Sequence, residues 1–503
     1  MPQEIVTSIP QKKSFSSILL WAALIACLYL PTLATPFDFI DDGNLVYPSH
    51  SGSLAGDVKY YWQQVVANYE DLGPFRPTLW AHWRVEAELF NANPLTWRAA
   101  RLFFTFLAAA AFLSLMVELR FAWPAAILTT ALAMWNPFRN EIWTSLTLSE
   151  GVAMPYAIVA LICALRAARS EKPWRWDIAG LLCMLVALGC KNTFAAALPA
   201  QLFFRVSPDG RNVIAGVRKH WLHAFVLGCA LLLPVGHYLY FVSHWHAGQY
   251  EGGDKWKQFK EMLGVEKGAV SIDFMAAGYI LTLVAVFASG SGRGCARKVW
   301  NEFRAPLIAG AMLLVFGVGI YLKIVGVSGR YAMPAVWGLD MWIGILLTLL
   351  AAIPWRDAWK RIAAVALCAG LVAVAVSNLG RQNKFAARAR LLWQVVHYVE
   401  AAPPAEKSIA WVAQPDDIQE GIHIYWHLDA RGYPQDFSLF TTDGTPRPHH
   451  ELPPNNEPLE FALTPGNTTV PLPGKWDEVR TFAQPYWFGK RSFTCVYWRK
   501  EAE

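Results

Sequence analysis

Apolar residues recur along the chain in runs near 20 residues, from Phe15 to Asn378, and short segments rich in Lys and Arg separate them. A run of that length, held as an α-helix, crosses the ~30 Å hydrocarbon core of a bilayer. The pattern predicts eleven membrane spans, near residues 15–34, 102–118, 122–137, 151–168, 176–190, 192–205, 221–241, 272–290, 305–324, 332–354 and 362–378. Beyond them the pattern changes. Residues 380–503 are polar and Pro-rich, with helical periodicity over Phe385–Val399, strand-like stretches at Ser408–Val412 and Ser492–Trp498, and a loop at Glu451–Pro458. The expected fold class is an all-α polytopic membrane protein, residues 1–379, with a small C-terminal α/β domain, residues 380–503.

The first interhelical segment, residues 35–101, is too long and too patterned for a linker. Asp57–Tyr69 reads as an amphipathic helix with Val58, Tyr61, Trp62, Val65 and Val66 near one face, and a second helical stretch, Thr78–Phe90, follows Arg76-Pro77. Helices of this kind lie along a membrane surface and can roof a cavity. No internal repeat is visible.

Charge orients the spans. Lys12 and Lys13 put the N-terminus in the cytoplasm. Alternation then brings inside the clusters Arg166/Arg169/Lys172/Arg175, Arg205/Arg211/Arg218/Lys219, Arg293/Arg297/Lys298/Arg304 and Arg356/Lys360/Arg361. The outer segments are 35–101, 138–150, 242–271, 325–331 and the tail after 379. The expected location is the cell inner membrane, with an extracytoplasmic C-terminal domain. Residues 176–205 admit one long tilted helix or a hairpin of two short ones. A single helix would move three basic clusters outside, so the hairpin is expected, with Lys191-Asn192 at its outer end.

Composition agrees. Only 16% of the 503 residues are charged, against about 25% in soluble domains, and the mean hydropathy is +0.26. A soluble enzyme, a disordered chain and a DNA-binding domain are excluded. The net charge of +6 belongs to the topology and not to a nucleic-acid footprint. The 24 Trp suit many membrane–water boundaries. The eight Cys show neither a disulfide framework nor metal-site spacing.

Candidate chemistry gathers on the outer side. Asp38, Asp41 and Asp42 follow span 1 in Phe37-Asp38-Phe39-Ile40-Asp41-Asp42-Gly43-Asn44. Neighbouring carboxylates repel, and they suit a metal, a cation or a proton-transfer task; the plain alternative is a solvated Asp-Gly turn. Arg76, Lys191 and Arg330-Tyr331 are cationic positions at the outer face, where they run against the positive-inside bias. Such cations suit an anionic head group, Arg through paired hydrogen bonds and Lys as a point charge; the alternative is snorkelling to lipid phosphates. Glu141 and Glu150 flank the segment between spans 3 and 4, where a local pair with Arg139 competes with a substrate role. Asp340, inside span 10, suits a hydrogen bond to a neighbouring helix. His244, His246 and Asp254 lack the spacing of a metal site.

These residues, in this order, resemble the GT-C superfamily of membrane glycosyltransferases, and within it the O-mannosyltransferase-like branch. The resemblance rests on Phe39-Ile40-Asp41-Asp42, Phe75-Arg76-Pro77, Asn93-Pro94 with Trp97, Pro137 with Glu141, Lys191-Asn192 with Pro199, and Arg330-Tyr331 with Pro334, over residues 15–355. Asn192 stands where that branch has an acid after the Lys, which leaves open how Lys191 is held. The resemblance implies a GT-C-like fold and inverting transfer of a sugar from a polyprenyl-phosphate donor to a hydroxyl of a glycan, lipid or protein acceptor at the extracytoplasmic face. Asp41 and Asp42 would be the catalytic pair, and Lys191, Arg330, Tyr331 and Arg76 would bind the donor phosphate. Asn44, Glu141 and Glu150 are further substrate-site candidates. A divalent cation, Mg or Mn, would fall to Asp41 and Asp42 but is not required, because cations alone can serve the leaving phosphate. The rival from another class is a transporter or flippase of lipid-linked saccharides. Such folds often carry internal repeats.

Overall fold

The computed structural model describes residues 14–38, 76–90, 93–137, 139–244, 290–321, 333–352, 357–401, 408–414, 418–429, 436–446, 460–466, 470–486 and 491–501. Most of these residues are helical, and a small sheet closes the chain. Among the described residues, five helical segments are long and apolar enough to cross a membrane: Phe15–Ala34, Pro94–Glu118, Ser149–Arg169, Pro173–Cys190 and Ala364–Glu400. Two of the predicted features, the amphipathic helix at 57–69 and most of the span at 272–290, lie outside the described residues, as does the Glu451–Pro458 loop.

The chain opens with α1 (Phe15–Ala26), capped by the Ser14 side chain, which accepts from the Ser17 N–H. A tighter 3-10 segment, Cys27–Ala34, continues it. Pro31 in this segment has no N–H to give. The Leu28 carbonyl is taken instead by the Gln382 amide at 3.1 Å. Helix α2 (Pro77–Phe90) matches the stretch expected at Thr78–Phe90. Helix α3 (Pro94–Glu118) begins two turns before the expected start at 102, with Asn93 as N-cap and Pro94 in its first turn. Arg98 and Arg101 interrupt the apolar run in the sequence, yet both are buried inside the helical bundle.

Next come α4 (Trp123–Trp135), the short α5 (Asn140–Thr144) and α6 (Ser149–Arg169). Helix α6 is buried on almost every side and packs against α3 and α7 (Pro173–Cys190). After Lys191 the chain reverses through a 3-10 segment, Asn192–Ala197, into α8 (Leu198–Val206). The reversal is fixed at its far end, where the Arg205 guanidinium forks onto Asp177 at 2.7 and 3.0 Å. Asp177 opens α7 and Arg205 closes α8, so residues 173–206 form the expected hairpin rather than one tilted helix.

Helices α9 (Val213–Lys219), α10 (Trp221–His244), α11 (Gly290–Tyr321) and α12 (Ala335–Ala352) follow. The basic residues Arg293, Arg297, Lys298 and Arg304 were expected in a loop; they lie in α11, whose backbone kinks at Phe303 just before Pro306. Helices α11 and α12 cross closely. A Cβ on Gly338 would stand 2.2 Å from the Gly310 carbonyl oxygen, so only glycine permits this approach. Trp342 of α12 donates to the Leu307 carbonyl of α11 at 3.2 Å. Asp340 is buried and accepts both arms of Arg139, at 2.6 and 3.0 Å. The partner of Arg139 is thus a residue 201 positions away, and not the neighbouring Glu141 considered from sequence.

Helix α13 (Asp357–Glu400) runs unbroken for 44 residues. The expected boundary at 379/380 falls inside it. The apolar pattern stops there, but Arg381, Gln382, Lys384, Ala386, Ala387, Arg388 and Ala389 are good helix formers, and Pro403-Pro404 lies just beyond the helix end. The tail then forms β1 (Ser408–Ala413), α14 (Ile418–Asp429), β2 (Asp436–Thr441), β3 (Phe461–Pro465), β4 (Trp476–Tyr486) and β5 (Arg491–Lys500). The sheet order is β2-β1-β3-β5-β4. Strand β1 is parallel to β2 and β3, with Ile409 opposite Phe437 and Phe461; β5 is antiparallel to β3 and β4. Alternation puts Ile409, Trp411, Phe437, Leu439, Leu463 and Tyr497 on one face, against Leu392, Val395, Val396 and Val399 of α13 and Ile424 and Leu428 of α14.

His423 of α14 is buried, and loss of hydration pushes its imidazole down to about 4. The folded tail therefore holds a neutral ring, while the unfolded chain takes up a proton below about pH 6.5. Stability contributed at neutral pH is lost as pH falls from about 6.5 to about 4, by about 3 kcal/mol for this group. The thermal midpoint of the full chain in detergent should drop over that window, and His423→Phe should flatten the drop.

Candidate active site

The site is built at the end of the bundle where α1 leaves and α3 and α6 begin. Thr144 ends α5, and residues 145–148 lead to α6 outside any helix or strand, so carbonyls here lack regular partners. Two arginines supply them. Arg98 donates to the Thr144 carbonyl, and Arg101 to the Leu146 and Leu148 carbonyls. They sit at i and i+3 on α3 and share a face. Arg98 reaches the other way as well: its Nη2 donates to the Pro36 carbonyl at 2.7 Å and its Nε to the Thr35 carbonyl at 3.3 Å. One guanidinium thus ties the exit of α1 to the entry of α6.

Lys191 caps α7 in an extended conformation, which turns the chain into the returning half of the hairpin. Its ammonium is buried and ion-paired with Glu150, itself buried in the first turn of α6. The acid missing at position 192 is therefore supplied from another helix. Ser149 adds a donor to the second Glu150 oxygen at 3.4 Å. Gly151 lets the start of α6 lie close to α5 and α3: a Cβ there would stand 2.9 Å from the Ile142 carbonyl oxygen and 3.1 Å from Arg101 Nη1.

Helix α2 closes over this corner. Thr78 packs onto Gly189, so Arg76-Pro77 enters beside the end of α7. The charges of Arg101 and Arg76 both bear on Cys190, the residue before Lys191. Three cations from separate segments, Arg76, Arg101 and Lys191, therefore meet at one place. Phe37, Trp97 and Leu146, with Trp83, Phe90 and Trp393 against them, form a small apolar cluster at the same end.

The acidic run begins here. Asp38 is buried and ion-paired with Arg388 of α13 at 2.7 Å. Trp393 Nε1 donates to the Phe37 carbonyl at 3.0 Å, and His427 of α14 lies against both Phe37 and Trp393. Glu141 is exposed, and its charge, with that of Glu420, bears on Arg388.

Of the residues singled out from sequence, Lys191, Glu150 and Arg76 come together, and Glu141 stands at the same end. Asp41, Asp42, Asn44, Arg330 and Tyr331 lie outside the described residues, as do His246 and Asp254. Among the described residues no group of three or more His, Cys, Asp or Glu side chains could hold a metal. Sequence reading missed Arg98, Arg101, Arg388 and Trp393. The signal for the first two was present in Trp97-Arg98-Ala99-Ala100-Arg101, a pair of cations spaced for one helix face at the mouth of an apolar run.

No family model matches the sequence, and no curated protein does. Some solved structures are distantly similar to the chain. The apo crystal structure of ArnT from Cupriavidus metallidurans shares 14% identity, covers 96% of this chain and 98% of its own, and superposes with a TM-score of 0.48. The same protein bound to undecaprenyl phosphate gives 15%, 96%, 98% and 0.46. The archaeal oligosaccharyltransferase AglB from Archaeoglobus fulgidus, in complex with an inhibitory peptide and a dolichol-phosphate, gives 12%, 90%, 69% and 0.39.

The buried Lys191–Glu150 pair is tested by breaking it from one side. Glu150→Ala strands an ammonium in a dry site and should cost about 3–5 kcal/mol of stability. Glu150→Leu combined with Lys191→Met removes both charges and should cost less. Thermal midpoints in one detergent would order the variants, and a double variant weaker than Glu150→Ala would contradict the pairing.

Proposed function

We propose that the chain is a polytopic GT-C-type membrane glycosyltransferase. It moves a sugar from a polyprenyl-phosphate carrier to an acceptor hydroxyl at the extracytoplasmic face, with inversion at the anomeric carbon. The observation that carries the reading is the gathering of Arg76, Arg101 and Lys191 at the end of the bundle where Asp38 is held, the first acid of the run in the sequence. An anionic donor and a proton acceptor are the two things such a corner can serve.

In this reading the lipid phosphate sits at the outer leaflet boundary. Lys191 and Arg330 neutralise it, with Tyr331 and Arg76 beside them. As the bond from the anomeric carbon to the phosphate oxygen breaks, negative charge grows on the phosphate, and fixed cations stabilise that state more than the ground state. Glu150 matters because a lysine held by a buried carboxylate cannot swing away to lipid phosphates. Asp41 takes the proton of the acceptor hydroxyl as its oxygen bonds to the anomeric carbon, through an oxocarbenium-like state. Asp42 orients Asp41 or holds a divalent cation. The products are the glycosylated acceptor and the free carrier phosphate.

The test uses membranes containing the protein, supplied with polyprenyl-phosphate sugars. Wild type should release carrier phosphate and form a glycosylated product, which a transporter of lipid-linked saccharides would not do. Asp41→Asn should lower transfer by about 10²-fold or more; near-normal activity would take Asp41 out of the mechanism. Arg330→Ala should weaken donor use, seen as a raised donor KM.

A further inference from the structure

The turn between α6 and α7, residues 170–172, joins two segments that are each long and apolar enough to cross a membrane, so it stands at a membrane surface. It is ordered locally: the Ser170 hydroxyl accepts from the Lys172 N–H at 3.1 Å, and Pro173 opens α7. Cations crowd this end. Arg166 and Arg169 of α6 are both tied to Glu118 at the end of α3, at 2.7 and 3.2 Å. Arg120, exposed just beyond α3, adds its charge beside Arg169. Lys172 and Arg175 differ from these: both are exposed, and among the described residues neither pairs with a carboxylate. Together with Ser170, Glu171, Trp176 and Ala179 they line an open recess of about 490 Å³. Indole rings brace the cations: the Arg166 guanidinium lies 5.0 Å from the Trp176 ring centre, and that of Arg175 lies 5.5 Å from Trp174. From the recess an apolar stripe runs along α7. Trp174, Ile178, Leu182 and Leu185 are all exposed, and they recur at i, i+4, i+8 and i+11.

We infer that the α6–α7 turn is a binding site for an anionic glycerophospholipid. The headgroup phosphate sits in the recess on Lys172 and Arg175, and the acyl chains lie along Trp174, Ile178, Leu182 and Leu185. Charge selects this occupant. Two cations on one recess suit a phosphate, Arg through paired hydrogen bonds and Lys as a point charge. Arg120, Arg166, Arg169, Lys172 and Arg175 outnumber Glu118 and Glu171, which favours a headgroup of net negative charge over a zwitterionic one. The stripe gives acyl chains a surface that a free anion would not use, and the two Trp mark the depth at which headgroups lie. The site is separate from the Lys191 corner: α7 begins at the recess and ends at Cys190, 18 residues and about 27 Å away. It does not depend on the glycosyltransferase reading.

The experiment uses the full chain in a neutral detergent at one ionic strength, supplied with dioleoyl phosphatidylglycerol or dioleoyl phosphatidylcholine. Lipid retained on the protein is measured by native mass spectrometry, with glycerol phosphate as a soluble competitor. Wild type should retain phosphatidylglycerol at least about fivefold more than phosphatidylcholine, the effect of about one cation at a membrane surface. The Lys172→Gln/Arg175→Gln double variant should lower phosphatidylglycerol retention by about tenfold or more. Ala179→Phe, which fills the recess without altering charge, should lower it as well. Arg211→Gln/Lys219→Gln removes two exposed cations that do not line the recess and should retain the lipid as wild type does. The charge variants replace exposed side chains only, so they decide the matter even where Ala179→Phe does not fold. An equal loss in the two double variants overturns the inference, because it marks general surface charge. Equal retention of both lipids by wild type overturns it too, as does displacement of phosphatidylglycerol by an equal concentration of glycerol phosphate, which marks a site for a free anion.

Discussion

A cation buried near the end of a membrane bundle must find its counter-charge within the protein, because neither lipid tails nor bulk water can supply one. Lys191 finds it in Glu150. That demand organises the corner of the molecule around it. It draws the start of α6 against the turn of the hairpin, while the bare backbone of Gly151 lets α6 start close to Ile142 and Arg101, and Arg98 and Arg101 meet the carbonyls of Thr144, Leu146 and Leu148. The same logic recurs elsewhere in the bundle, where Arg139 answers Asp340 and Arg205 answers Asp177. Each pair joins segments distant in sequence, so charge pairing here specifies which helices are neighbours as much as it stabilises them.

Much of the architecture was legible because lipid imposes a simple rule on the sequence. Apolar length marked five helices that, among the described residues, are long and apolar enough to cross a membrane, and the positive-inside bias chose the hairpin at 176–205 over one long helix. The errors have a common physical source. Arg98 and Arg101 ended the apolar run on paper, but each is buried by donating to carbonyls that only the folded chain brings near. The break at 379 in the pattern suggested a domain boundary, but a change from apolar to polar does not stop a helix when the residues on both sides favour one. Arg293 to Arg304 read as a loop for the same reason.

At the candidate site, single residues were visible and their partners were not. Lys191, Arg76 and Glu150 stood out as charges in apolar or outward-facing surroundings. That Glu150 would be the partner of Lys191 could not be read locally, because the two are 41 residues apart. Arg388 looked like one more basic residue in a soluble tail. Its role depends on Asp38, 350 residues earlier, and nothing in either local sequence announces the other.

The unbroken run of α13 has one more implication. Forty-four residues at about 1.5 Å each make a rod of about 66 Å, with an apolar, largely exposed N-terminal part and a C-terminal part packed against the sheet. A rod of this kind transmits helical phase. Adding or deleting two residues near Gly380 would turn everything beyond by about 200° and swing the β-sheet to the wrong side of the bundle, whereas a change of seven would nearly restore the angle while shifting the height by about 10 Å. The length of this helix is therefore under two separate geometric requirements, azimuth and rise, and few insertions can satisfy both.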